Sequence, residues 1–188
     1  ADYYYVKFFD SDNGVIVCGY AKSNDTNESS RIYSTSNGGE SWDIVGSGPA
    51  TNIIKGVVYV SSDVGFFCYD YVEGMDSNLY KTDDGGKTFA KVMLEEQELD
   101  SSAANPQGQE TETKTDSGKN GADSSEQLRW GDVYKEALTP VVDSTGIITI
   151  YLTQGKNAVY NDGKTAAKYQ SSDKGSTWKY IGQVEIKD

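Results

Sequence analysis

The sequence predicts an all-β fold, and three observations carry that prediction. Tyrosine, valine, isoleucine and threonine, the residues that suit a pleated surface, recur in short runs. Twenty glycines, many beside Asp, Asn or Ser, punctuate those runs as turns do. One phrase is written three times: TSNGGESW at 35–42, TDDGGKTF at 82–89 and SSDKGSTW at 171–178. Hydrophobic residues are 36% of the 188, so the fourteen tyrosines, five phenylalanines and three tryptophans must supply much of the buried area.

The elements follow in the same order each time. An extended strand closed by an Asp-containing turn comes first: YYYVKFFDSDNG, then IIKGVVYVSSDVG, then the less regular DVYKEALTPVVDSTG. An apolar strand follows: GVIVCGY (14–20), GFFCYDY (65–71) and GIITIYL (146–152). A third strand ends in tyrosine: RIY (31–33), NLY (78–80) and AKY (167–169). The repeated phrase, here called the box, comes next. A short strand then closes each unit: WDIVG, FAKVML and WKYIGQVEI. Each unit is therefore four short strands joined by hairpins.

Trp42 and Phe89 lie 47 residues apart, whereas Phe89 and Trp178 lie 89 apart. Residues 95–127 explain the difference. They hold nine acidic residues against two lysines, no aromatic, and one large apolar residue, Leu99. Such a segment is expected to be a flexible excursion rather than a hidden unit. Four-stranded units at a period near 47 match a β-propeller blade, whose repeats run roughly 40–50 residues. The expectation is one propeller-like domain over 1–188, with blades at about 1–50, 51–94 and 128–188 and a flexible acidic insertion at 95–127.

The box resembles the Asp-box, or BNR, repeat, Ser/Thr-x-Asp-x-Gly-x-Thr/Ser-Trp/Phe. Its positions are Thr35, Asn37, Gly39, Ser41 and Trp42; Thr82, Asp84, Gly86, Thr88 and Phe89; and Ser171, Asp173, Gly175, Thr177 and Trp178. The first departs from the pattern by having Asn37 where the repeat has Asp. The resemblance covers most of the chain outside 95–127. It implies that each box is the hairpin between a blade's third and fourth strands, away from any active site. The residue types support a structural role. The carboxylate or amide accepts N–H bonds of its own turn, the glycine permits positive φ, the hydroxyls tie the neck, and the aromatic anchors the hairpin.

Composition excludes several functions. A formal net charge of −12 repels phosphate backbones and anionic membrane surfaces, so neither nucleic acid nor membrane is an expected partner. No apolar run approaches the ~20 residues that span a bilayer. Histidine is absent, which removes His triads and His metal sites. Cys18 and Cys68 form no metal pattern; they could form a disulfide, but their apolar surroundings favour two small buried hydrophobes. GGKT at 85–88 and DGKT at 162–165 lack the P-loop's leading glycine, with Lys81 and Ala158 in its place. DSDNG at 10–14 has Gly14 and Ala21 where a Ca²⁺ loop needs ligands, so it reads as a β-turn. The sequons at Asn24 and Asn27 are sequons by form alone. No cofactor and no metal is expected.

The resemblance spans sialidases and other glycoside hydrolases, sortilin-type receptors and photosystem assembly factors. A sialidase grips its substrate carboxylate with three arginines, and this chain has two, Arg31 and Arg129. A two-carboxylate glycosidase needs one pair at about 5–9.5 Å, and 29 acidic residues nominate none. Trp130 is the one tryptophan outside the boxes. With Arg129 and Arg31 it is a candidate for ligand contact, although burial in a strand of blade three is the simpler expectation. The tyrosine run at 3–5 is strand before it is ligand platform. The expected function is a non-catalytic binding or scaffold module, extracellular or at the cell surface, with a glycan or protein ligand. The alternative is part of a glycoside hydrolase propeller. Three blades fall short of the usual four to eight. Two chains pairing into a homodimeric ring, or a longer chain from which ADYYYV… is excised, would supply the rest.

Overall fold

The structure is a computed structural model that describes residues 3–19, 30–99, 129–155 and 160–186. It is all-β and propeller-like, with three antiparallel sheets in chain order. Blade one comprises β1 (Tyr3–Phe8), β2 (Gly14–Gly19), β3 (Ser30–Thr35) and β4 (Asp43–Ser47). Blade two comprises β5 (Ile54–Tyr59), β6 (Gly65–Tyr69), β7 (Leu79–Thr82) and β8 (Ala90–Lys91). In both, the strands lie side by side in the order in which the chain makes them.

Blade three departs from this pattern. The expected first strand is a single helical turn, α1 (Trp130–Val133), followed by two short strands, β9 (Glu136–Ala137) and β10 (Val141–Val142). Pro140 stands between them, and a proline has no N–H for a sheet ladder. Both short strands pair with β11 (Ile148–Thr153), which continues to β12 (Thr165–Ser171) and β13 (Lys179–Glu185). Trp130 is therefore buried as expected, but on α1 rather than on a strand.

The register assigns each side chain to one of two faces. We call the face toward the preceding blade leading and the opposite one trailing. Blade one's trailing Val15, Val17 and Ile32 pack on blade two's leading Val57, Tyr59 and Phe67. Blade two's trailing Phe66, Cys68 and Leu79 pack on blade three's leading Ile148 and Ile150. A third cluster joins Trp130, Tyr134, Tyr160 and Tyr169 within blade three.

Polar bonds run across the same seams. Val57 and Tyr59 in β5 donate their N–H groups to the hydroxyls of Tyr3 (2.9 Å) and Tyr5 (3.0 Å). Lys7 Nζ donates to the Tyr59 carbonyl (2.5 Å). Three residues of β1, spaced by two, thus satisfy backbone groups of β5 that β6 does not pair. Tyr3 and Tyr5 of the tyrosine run are strand residues on the trailing face. Cys18 and Cys68 are both free thiols, the first half-buried and the second buried.

Glu95 to Leu99, the described end of the acidic segment, packs against blade three. Tyr169 Oη donates to the Glu95 carbonyl (2.7 Å), and Leu99 lies against the third cluster. Leu99, the one large apolar residue of 95–127, supplies that apolar contact. Residues 100–127, the remainder of the acidic segment expected to be flexible, lie outside the described residues, as do Asn24 and Asn27.

Candidate functional site

The three boxes form one turn in three copies. In box two, Asp84 accepts N–H bonds from Lys87 (3.0 Å) and Thr88 (2.8 Å) and hydroxyl bonds from Thr82 (2.8 Å) and Thr88 (2.6 Å). Box three repeats this at Asp173, with Ser176 N, Thr177 N, Ser171 Oγ and Thr177 Oγ1 as donors. These bonds, those of Thr88 and Thr177 first, hold both carboxyls far below the usual carboxylate range. Box one keeps the geometry with its polarity partly reversed. Asn37 Oδ1 accepts from Thr35 Oγ1 (2.9 Å) and Ser41 N (3.0 Å), while Asn37 Nδ2 donates to Ser41 Oγ (2.8 Å).

The box glycines bear positive φ, 90° at Gly39, 106° at Gly86 and 77° at Gly175. Gly38 N donates to Asp12 O and Gly85 N to Asp63 O, both at 2.8 Å, which ties the box to the blade's first hairpin turn. Every bonded group of the boxes is thus consumed within the blade. Asp10 is likewise consumed: its carboxylate accepts from Asp12 N and from the Asn13 backbone and amide, an Asx turn. Among the described residues no group of three or more carboxylates or thiols could hold a metal ion.

In an up-and-down blade, the first and third turns share one end and the second turn shares the other with the link to the next blade. At that second end a cleft of about 370 Å³ opens between blades two and three. It is walled by the link from β6 to β7 (Tyr71, Met75, Asn78), the exit from β8 (Met93, Leu94, Glu96) and the α1 region (Arg129, Trp130, Asp132). The sequence candidates Trp130 and Arg129 meet here. Arg31 does not: it is exposed on β3 of blade one.

Asn78 fixes the floor of the cleft. Its buried amide donates to Tyr69 O (2.8 Å) and Ala137 O (2.9 Å) and accepts from Ala137 N (2.8 Å), so it pairs with Ala137 as a strand would. Cys68 Sγ also donates to Ala137 O (3.3 Å), and burial pushes its thiol up to about 11, leaving it unreactive near neutral pH. No sequence pattern marks Asn78, since its role depends on a residue 59 positions away.

Two ion pairs stand at the rim. Arg129 Nε meets Asp132 at 3.0 Å, and Lys91 meets Asp76 at 2.8 Å. Trp130 is 4% exposed. Tyr134 (4.7 Å) and Tyr180 (5.3 Å, edge-on) pack its ring. Burial pushes the nearby Tyr169 phenol up to about 12, with the Trp130 indole pulling the other way. The indole N–H nevertheless lies outside hydrogen-bond geometry. It is the one buried side-chain nitrogen or oxygen without a partner among the described residues.

A GH74 enzyme of Niastella koreensis is similar in structure, with a TM-score of 0.44 and 17% identity over 89% of this chain and 19% of that one. A YCF48 protein bound to a D1 peptide is similar at a TM-score of 0.43 and 13% identity, over 99% of this chain and 46% of that one. The chain spans less than half the length of either. At these scores the likeness carries no functional inference. No protein-family model matches the sequence, and no curated protein does.

Proposed function

We propose that the chain is a non-catalytic binding module built from Asp-box blades, extracellular or at the cell surface, and that the cleft between blades two and three takes a segment of a protein ligand. The lining of the cleft carries this reading. Met75, Met93 and Leu94 offer adaptable apolar contact, and both acidic groups (Asp76, Glu96, Asp132) and basic ones (Arg129, Lys135) line the same cleft. A glycan ligand is served less well. Sugar rings stack on open aromatic faces, and the Trp130 ring is enclosed by Tyr134 and Tyr180. The placement outside the cell follows from the Asp-box resemblance alone.

The alternative, a portion of a glycoside hydrolase propeller, asks for a carboxylic acid held protonated near neutral pH. Peptide and glycan arrays probed in parallel test the proposal. Binding to peptides, weakened at least tenfold by Met93→Arg in the cleft, is the expected result. Binding to glycans alone, or turnover on a glycoside panel, would replace it.

A further inference from the structure

Blade one's leading face is apolar, and no other blade packs on it among the described residues. Tyr4, Val6 and Phe8 of β1 are 65%, 57% and 45% exposed, and Ile44 of β4 is 64% exposed. The register sets them on one surface with Ile16 and Tyr33, through the rows Tyr4–Cys18, Val6–Ile16–Tyr33–Ile44 and Phe8–Gly14.

The molecule shows twice what this surface does. Aligned by its boxes and first hairpins, blade two carries Val57 where blade one has Val6, Tyr59 for Phe8, Phe67 for Ile16 and Tyr80 for Tyr33. Blade three carries Ile150 for Phe67 and Tyr169 for Tyr80. Val57, Tyr59, Phe67, Ile150 and Tyr169 are all buried against neighbours. The box glycine belongs to the same joint. A Cβ at Gly86 would sit 2.9 Å from Ile32 of blade one, and one at Gly175 would sit 2.5 Å from Phe66 of blade two. At Gly39 the nearest atoms are blade one's own Phe8 and Trp42.

The trailing faces differ in the opposite sense. The row of Val15, Val17 and Ile32 in blade one becomes Phe66, Cys68 and Leu79 in blade two. In blade three the same positions are Thr149, Tyr151 and Lys168, beside Gln170, whose amide donates to Thr149 Oγ1 (3.1 Å). Polar outer faces end repeat stacks; apolar ones continue them.

We propose that blade one's leading face is a docking site for one further blade of the same repeat, with an apolar trailing face and a side chain seated on Gly39. The identity of the occupant follows from continuity with the two interfaces already made. A head-to-tail ring of two copies is disfavoured. It would set Thr149, Lys168 and Gln170 against Val6 and Ile16 and bury an ammonium without a partner.

The test appends a blade to the intact chain. A copy of residues 51–94, joined before Ala1 by a Gly-Ser linker, presents the apolar trailing face. A copy of residues 128–188 presents the polar one. The first fusion is expected to raise Tm by about 5 °C or more and to cut bis-ANS fluorescence at least twofold. Val6→Lys in that fusion should cancel both gains, and the second fusion should give neither. No gain from the first fusion, or equal gains from both, overturns the proposal. So does sedimentation of the unmodified chain as a dimer that Val6→Lys splits, because a second copy would then be the occupant.

Discussion

Blade one and blade three stand at the two ends of the same stack, and they end it differently. Blade three turns Thr149, Lys168 and Gln170 outward. Blade one turns Val6, Phe8 and Ile44 outward. The two blades share the order of their second, third and fourth strands and the geometry of the box, so neither feature produces the difference. It lies in which residues occupy face positions that the repeat keeps constant. A blade's four strands and its box specify a shape, and the two faces specify whether that shape is terminated or continued.

The largest expected contrast lies in the second strands. Phe67→Ala empties a buried ring site between blades one and two and should cost about 3–5 kcal/mol. Ile16→Ala, at the matching place in blade one, should cost about 1 kcal/mol because one side of it is already solvated. Chemical denaturation of the two variants checks this, and similar losses would break the contrast.

The box aromatics give a smaller contrast. Trp178 is half-buried, edge-on to Phe66 of the preceding blade at 6.0 Å, whereas Trp42 meets Phe8 of its own blade at 5.9 Å. Trp178→Ala should cost about 2 kcal/mol, below the ~3–5 of an enclosed tryptophan, and Trp42→Ala about 1. Thermal melts of both variants measure it.

Acid distinguishes the boxes by sign. Asp84 and Asp173 have folded pKa values below the ordinary 3.8, so the stability they contribute is complete above about pH 4. It is lost as the pH falls through their folded values. Asn37 does not titrate. Hydrogen-exchange protection of the Thr88 and Thr177 amides should fall progressively as the pH drops below about 4, while that of Ser41 stays level. A parallel fall at Ser41 would show that the turn loosens for another reason.

These contrasts also show what the sequence could disclose. Period-two apolar runs and the box placed the strands of blades one and two, because local pattern decides local structure there. Blade three's entry was misplaced because Pro140 splits its first strand and α1 has no capping side chain to announce it. Arg129 and Trp130 are adjacent in the sequence and both line the cleft, but its other walls, Met93 and Asn78 among them, are brought there by blade-to-blade packing. The uncovered leading face was present as letters in Tyr4, Val6 and Phe8. Its meaning required the register, which shows Val57 buried at the place where Val6 is exposed.

Val6 and Val57 are thus the same residue at the same position of two blades, and the pair tests the account most directly. Val57→Ala removes two buried methyl groups and should cost about 1.5–2.5 kcal/mol by denaturant titration. Val6→Ala should change stability by no more than about 0.5 kcal/mol. Equal losses at the two positions would contradict the claim that one leading face is occupied and the other is open.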